Sequence, residues 1–103
     1  MAGPRPRKDL TLKSLELFQA CAEKGTLQDA ARDRGLSLST VAHHIHALEA
    51  HLGTALFTEG KRPLTLTPVG QAFLRDIEAP LRALRKATAE ASAATLGGAR
   101  FLR

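Results

Sequence analysis

Three features of this 103-residue sequence predict a mainly α-helical fold: a winged helix-turn-helix (three helices plus a short β-hairpin wing) followed by a long linker helix. Apolar residues recur at helical spacing in three short segments, each preceded by Thr or Ser and closed by Gly. The second and third segments are joined by one Gly-containing turn. An alternating stretch with a Gly/Pro tip then leads into a segment opened by Thr67-Pro68 and closed by Gly97-Gly98.

The first ten residues, MAGPRPRKDL, carry two prolines among basic residues and read as a flexible basic arm over 1–10. Thr11 caps the first helix, whose apolar positions Leu12, Leu15, Phe18, Cys21 and Ala22 form a stripe that Gly25 ends. Cys21 lies on that stripe and reads as a small core residue. Thr26 caps LQDAARDR, with Leu27, Ala30 and Ala31 inward and Gly35 at the turn. Ser37 opens the third helix, with Val41, Ile45, Leu48 and Leu52 inward and Gly53 as its stop.

The stretch ALFTEG-KRP-LTLT alternates apolar and polar residues about its tip and predicts the hairpin wing, completing a winged helix-turn-helix over 11–66. Thr67-Pro68 starts a linker and dimerisation helix over 67–96, in which Leu74, Ile77, Leu81, Leu84, Thr88, Ala91 and Thr95 recur at alternating steps of three and four. Pro80 removes one backbone donor inside that pattern and predicts a bend or a break. Residues 97–103 read as a tail and the start of a missing effector domain.

Lys and Arg number 15 against 10 acidic residues, a formal charge of +5 that favours a polyanionic partner. With no Trp or Tyr and four Phe, the chain lacks a base-stacking surface for single strands, whereas gripping a duplex backbone needs none. One cysteine excludes an internal disulfide and fits a reducing compartment. No apolar run approaches the ~18 residues of a membrane span and no signal-peptide core is present, so the expected location is cytoplasmic, with no membrane partner.

All four histidines fall in VAHHIHALEAH. At roughly 100° per residue, His43 and His46 lie opposite the apolar stripe of the third helix with Ser39, flanked by Thr40 and Ala42. His44 and His51 instead share a line at the core's edge, about 10 Å apart. A tetrahedral metal site needs two ligands beyond His43 and His46, and Glu49 is the only nearby candidate, so no metal and no cofactor is expected. The outward residues occupy the part of a helix-turn-helix that enters a major groove.

The stretch LELFQACAEKGTLQDAARDRGLSLSTVAHHIHALEAHLGTALFTEGKRPLTLTPVG resembles the amino-terminal DNA-binding domain of the LysR-type transcriptional regulators. The marks that carry the resemblance are Phe18, Ala22, Gly25-Thr26-Leu27, Ala30-Ala31, Ser37, Val41, Ile45, Leu48-Glu49, Leu52-Gly53, Leu56-Phe57, Arg62, Leu66-Thr67-Pro68 and Gly70. The resemblance implies a linker helix that pairs two subunits and a homodimer on inverted-repeat DNA, open to higher oligomers at full length. Four positions depart from the family pattern: Leu38 replaces its usual Gln, Ala42-His43 its usual Ser-Arg, and Glu59 its usual Arg.

The expected function is sequence-specific binding of double-stranded DNA by a dimeric transcriptional regulator. Ser39, Thr40, His43 and His46 face base edges, while Ser37, Arg32, Arg34, Lys61 and Arg62 meet the DNA backbone. Leu74, Ile77, Leu81 and Leu84 pair the two subunits. The rival expectation is a protein-interaction and dimerisation module that has lost DNA binding, favoured by Leu38, Ala42 and Glu59. No nucleophile–base pair, paired carboxylates or phosphate-cradling glycine loop points to an enzyme.

Overall fold

A computed structural model describes residues 10–60 and 62–97 and contains four helices in the predicted order: α1 (Leu12–Lys24), α2 (Leu27–Arg34), α3 (Leu38–Leu52) and α4 (Pro68–Gly97). Most of the expected arm, Lys61 at the wing tip and the tail from Gly98 lie outside the described residues.

The first three helices begin and end as their capping residues dictate. Thr11, Thr26 and Ser37 sit in extended backbone, and their side-chain oxygens accept the N–H groups of Ser14, Asp29 and Thr40. Each such cap satisfies a donor that the helix itself cannot and contributes about 1 kcal/mol. Gly25, Gly35 and Gly53 close the helices in the left-handed region. At Gly35 the N–H of Leu36 returns to the Ala31 carbonyl at 2.9 Å, which stops α2 and lets Ser37 start α3 two residues later.

The core is centred on Phe18, fully buried, whose ring lies 5.4 Å from Phe57 and 5.6 Å from Phe73. Leu17, Cys21, Ala30, Ala31, Val41, Ile45, Leu48 and Leu56 surround it. Burial pushes the Cys21 thiol up to about 11, so it stays protonated and acts as a small apolar side chain. The buried arc of α1 differs from the expected stripe: Ser14, Leu17 and Ala20 are buried, and Leu12 is 46% exposed. At roughly 100° per residue that arc is centred on Ser14 and Cys21, with Leu12 directly opposite. A polar residue at its centre hid the arc from a reading of apolar spacing.

The wing is shorter than a two-stranded ladder among the described residues. Phe57 and Leu66 form one antiparallel bridge, flanked by Thr58 N–H to Thr65 C=O at 2.7 Å and Thr67 N–H to Leu56 C=O at 2.9 Å. Beyond it, Pro63 has no N–H, and the Leu64 N–H turns away to the Gly25 carbonyl at 2.7 Å. Pairing therefore yields to a bond that ties the wing to the corner between α1 and α2.

Glu49 anchors the other end of this segment. Its Oε2 accepts the Leu56 N–H at 2.8 Å and the Phe57 N–H at 3.4 Å. Among the described residues no group of three or more His, Cys, Asp or Glu could hold a metal ion. Replacing Glu49 by Ala leaves the Leu56 N–H without its acceptor, and the expected loss in urea denaturation is about 1–3 kcal/mol. Glu49→Gln, which keeps an acceptor oxygen, should lose less; an unchanged midpoint for Glu49→Ala would refute the anchoring role.

Helix α4 starts where Thr67 Oγ1 accepts the Gly70 N–H at 2.9 Å. Gly70 is buried in the first turn, and a Cβ there would overlap the Leu56 carbonyl, so only glycine lets the two backbones approach this closely. The helix runs unbroken through Pro80. Pro80 and Asp76 are both exposed, so water can reach the carbonyl that proline leaves without a donor. Ile77 and Leu81 are buried in the chain's own core, Leu74 packs partly against it, and Leu84 is 49% exposed. The expected seam thus divides: Ile77 and Leu81 hold α4 to its own domain, because the helix packs against α1 and the core that α1 contributes to. From Arg82 to Ala93 every residue is exposed.

Candidate nucleic-acid interface

The surface formed by the start of α3, the start of α2 and the wing gathers most of the expected contact residues. Ser37, Ser39, His43 and His46 are exposed, and Thr40 is half-buried. Ser37 Oγ donates to Thr40 Oγ1 at 2.8 Å, accepts the Thr40 N–H at 3.1 Å and lies 3.4 Å from Ser39 Oγ. Thr40 therefore stiffens the cap, while Ser39 and His43 stand furthest from the core. A charge-free cap at the helix N-terminus keeps the positive end of the dipole open to an anion.

His46 occupies the flank toward the wing. It borders a concavity of about 490 Å³ together with Glu49, Thr58, Glu59 and Gly60. His43 faces the other way, its ring 6.1 Å from that of His44 in a T-shaped arrangement. The two outward histidines therefore stand on different flanks of α3.

His44 is structural. Thr11 Oγ1 donates to Ser14 Oγ at 2.9 Å, and Ser14 Oγ lies 3.2 Å from His44 Nδ1. With the Ser14 oxygen already accepting, its hydrogen is left to point at an unprotonated Nδ1. Burial, then the neighbouring His43 and Lys13 charges, hold His44 below its ordinary value of 6.5. A lowered pKa in the folded state means that the unfolded chain binds the proton more readily. The stability from neutral His44 is therefore complete above about pH 6.5 and is lost as pH falls below it. Thermal midpoints measured from pH 7.5 down to 5.5 should decline, and His44→Gln should flatten that decline; an equal slope in the variant would refute the assignment.

The basic residues divide unevenly. Arg62 is exposed at the wing. Arg32 Nη1 pairs with Asp29 at 2.9 Å and Arg34 Nε with Asp33 at 3.7 Å, while Lys24 also approaches Asp33 at 3.8 Å. The outer face of α2 is thus a set of exchangeable exposed ion pairs, each worth about 0–1 kcal/mol. The position of Lys61 lies outside the described residues.

Two further residues reach this surface without having been picked out as contacts. Gln28 and Leu38, with Thr26 and Arg62, line a concavity of about 430 Å³ where α2, α3 and the wing meet. Gln28 had a signal in the sequence, a polar side chain in the first turn after a cap. Leu38 was legible only as a departure from the family pattern.

The model of bacterial regulatory helix-turn-helix proteins of the lysR family matches residues 12–71. The HTH-type transcriptional regulator TfdS of Cupriavidus pinatubonensis is 40% identical over 88 residues, which cover 85% of this chain and 30% of that protein. YofA of Bacillus velezensis is 40% identical over 73 residues, 71% of this chain and 25% of that protein. The chain thus spans less than a third of the length of these relatives. Among solved structures, the BenM DBD in complex with catB site 1 DNA superposes with a TM-score of 0.77 at 25% identity, covering 85% of this chain and 95% of that one. The CbnR DBD–DNA complex gives 0.74 at 31% identity, covering 84% and 99%. Among the described residues no helix is long and apolar enough to cross a membrane.

Proposed function

Because the chain belongs to the lysR family of bacterial regulatory helix-turn-helix proteins, we propose that it binds double-stranded DNA sequence-specifically as a dimeric transcriptional regulator in the cytoplasm. The observation that carries this reading is the surface of α3: Ser37, Ser39, His43 and His46 stand exposed on the helix that follows the tight Gly35 turn, with Arg62 beside it. Two of the relatives above are transcriptional regulators by name, and two of the structural neighbours are complexes with DNA.

In this reading Ser39, His43 and His46 read base edges, Thr40 holds the cap, and Ser37, Arg32, Arg34, Lys61 and Arg62 meet phosphates. Residues 11–66 form the DNA-binding unit and residues 67–96 the linker. The exposed run of α4 that begins with Leu84 pairs with a second copy, since Ile77 and Leu81 are already covered. No residue is assigned a catalytic step.

Enrichment of duplexes from a random 30-bp pool (a length of about three DNA turns) tests the reading. The expected product is a two-fold repeat with half-sites about one helical turn apart. His43→Ala and His46→Ala should each relax preference at a different base pair, by about 1–3 kcal/mol of discrimination. A pool in which nothing is enriched over the starting mixture would overturn the proposal.

A further inference from the structure

Among the described residues of α3, Leu38 is the large apolar side chain that the core leaves uncovered. It is 45% exposed, whereas Val41, Ile45 and Leu48 lie between 0% and 4%. It is the first residue of the helix, directly after the Ser37 cap. Ala42, half-buried, and His46, exposed, follow it at steps of four, so leucine, alanine and imidazole stand in line along the flank of α3 that faces the wing. Thr26, Gln28 and Arg62 border the concavity beside it.

The geometry points to Leu38, backed by Ala42, as a reader of the thymine C5-methyl group in the major groove. This inference rests on the DNA-binding function proposed above. A leucine side chain neither donates nor accepts a hydrogen bond. Pressed against guanine N7 and O6, adenine N6 and N7, or the cytosine amine, it removes water and returns no bond, which is unfavourable at each of them. The thymine methyl is the one apolar group that the base pairs present in the major groove. Facing it, Leu38 buries surface on both sides with no polar group stranded. A single methyl so buried is worth about a fourfold gain in affinity. Thymine preference at that position then comes from one favourable contact and three unfavourable ones. The adjacent Ser39 and His43 read hydrogen-bonding edges that Leu38 ignores.

The test uses the duplex enriched by the full chain. Each thymine is replaced in turn by deoxyuridine, which deletes the methyl and keeps every hydrogen-bonding group, and binding is measured for the wild-type chain and for Leu38→Ala. The substitution is on an exposed position at a helix start, and unchanged helical circular dichroism checks that the fold is kept. The expected result is a loss of about fourfold at one thymine per half-site for the wild type. Leu38→Ala should bind the parent duplex more weakly and show no loss at that same thymine. If no thymine-to-uracil change weakens the wild type, or if Leu38→Ala loses as much as the wild type, the inference is overturned while the function stands. If no duplex is enriched at all, the proposed function fails and this inference with it.

Discussion

Phe18→Ala should lower the unfolding free energy by about 3–5 kcal/mol, the cost of an aromatic ring deleted from a closed core. The ring is fully buried and sits between Phe57, at the base of the wing, and Phe73, on α4. Its removal leaves the two rings facing a void that neither can fill without releasing the Phe57–Leu66 bridge or the first turns of α4. At about 4–8 °C per kcal/mol for a domain of this size, the thermal midpoint should drop by on the order of 15–30 °C. Leu12→Ala, on the opposite and exposed side of the same helix, should stay within about 0.5 kcal/mol. Equal effects from the two substitutions in thermal or urea unfolding would contradict the arrangement of α1 described here.

Affinity for the enriched duplex should fall on the order of 10³-fold between 50 and 200 mM salt, as for a protein that neutralises about six phosphates. Arg32, Arg34, Lys61 and Arg62 on each of two protomers supply at least that number. The partners of Arg32 and Arg34 on α2 are exposed carboxylates, so exchanging them for phosphate costs little. Removing Arg62 should weaken binding uniformly across sequences and reduce the salt slope by about 1 for each protomer that loses a contact. Arg32→Ala should weaken binding at least as much, because deleting that side chain also frees Asp29, which then repels the same phosphate. A salt-independent interaction would instead identify this surface as a site for protein partners.

Local chemistry was the legible part of this fold. Thr11, Thr26, Ser37 and Thr67, with the glycines that follow the first three helices, set both ends of those three helices and the start of α4 within a residue, since a cap and its stop act over one turn of chain. What could not be read is what depends on partners distant in sequence. Glu49 looked like a spare metal ligand, and its real partners, the N–H groups of Leu56 and Phe57, lie seven and eight residues away with no periodic trace. Ile77 and Leu81 carry the spacing of a helix seam whether they face a second copy or their own core, and only the docking of α4 decides between these. The candidate site was legible by helical geometry for Ser39, His43 and His46. Leu38 was not, because its wheel position lies near the core's edge and its exposure arises from being in the first turn.

The two bonds that hold the wing give it a further role. Leu64 is tied to Gly25 at the corner between α1 and α2, and Leu56 to Glu49 on α3 itself. Wing and α3 are therefore linked by short hydrogen bonds at the base of the wing, like the jaws of a caliper joined by a strut. If the proposed function holds, a duplex between them is expected to offer a groove and a phosphate ridge at the separation these bonds set. Under the proposed function, the shape of the double helix is then measured before any base is read, and an A-form hybrid of the same sequence, with its deep, narrow major groove, is expected to bind more weakly than the B-form duplex.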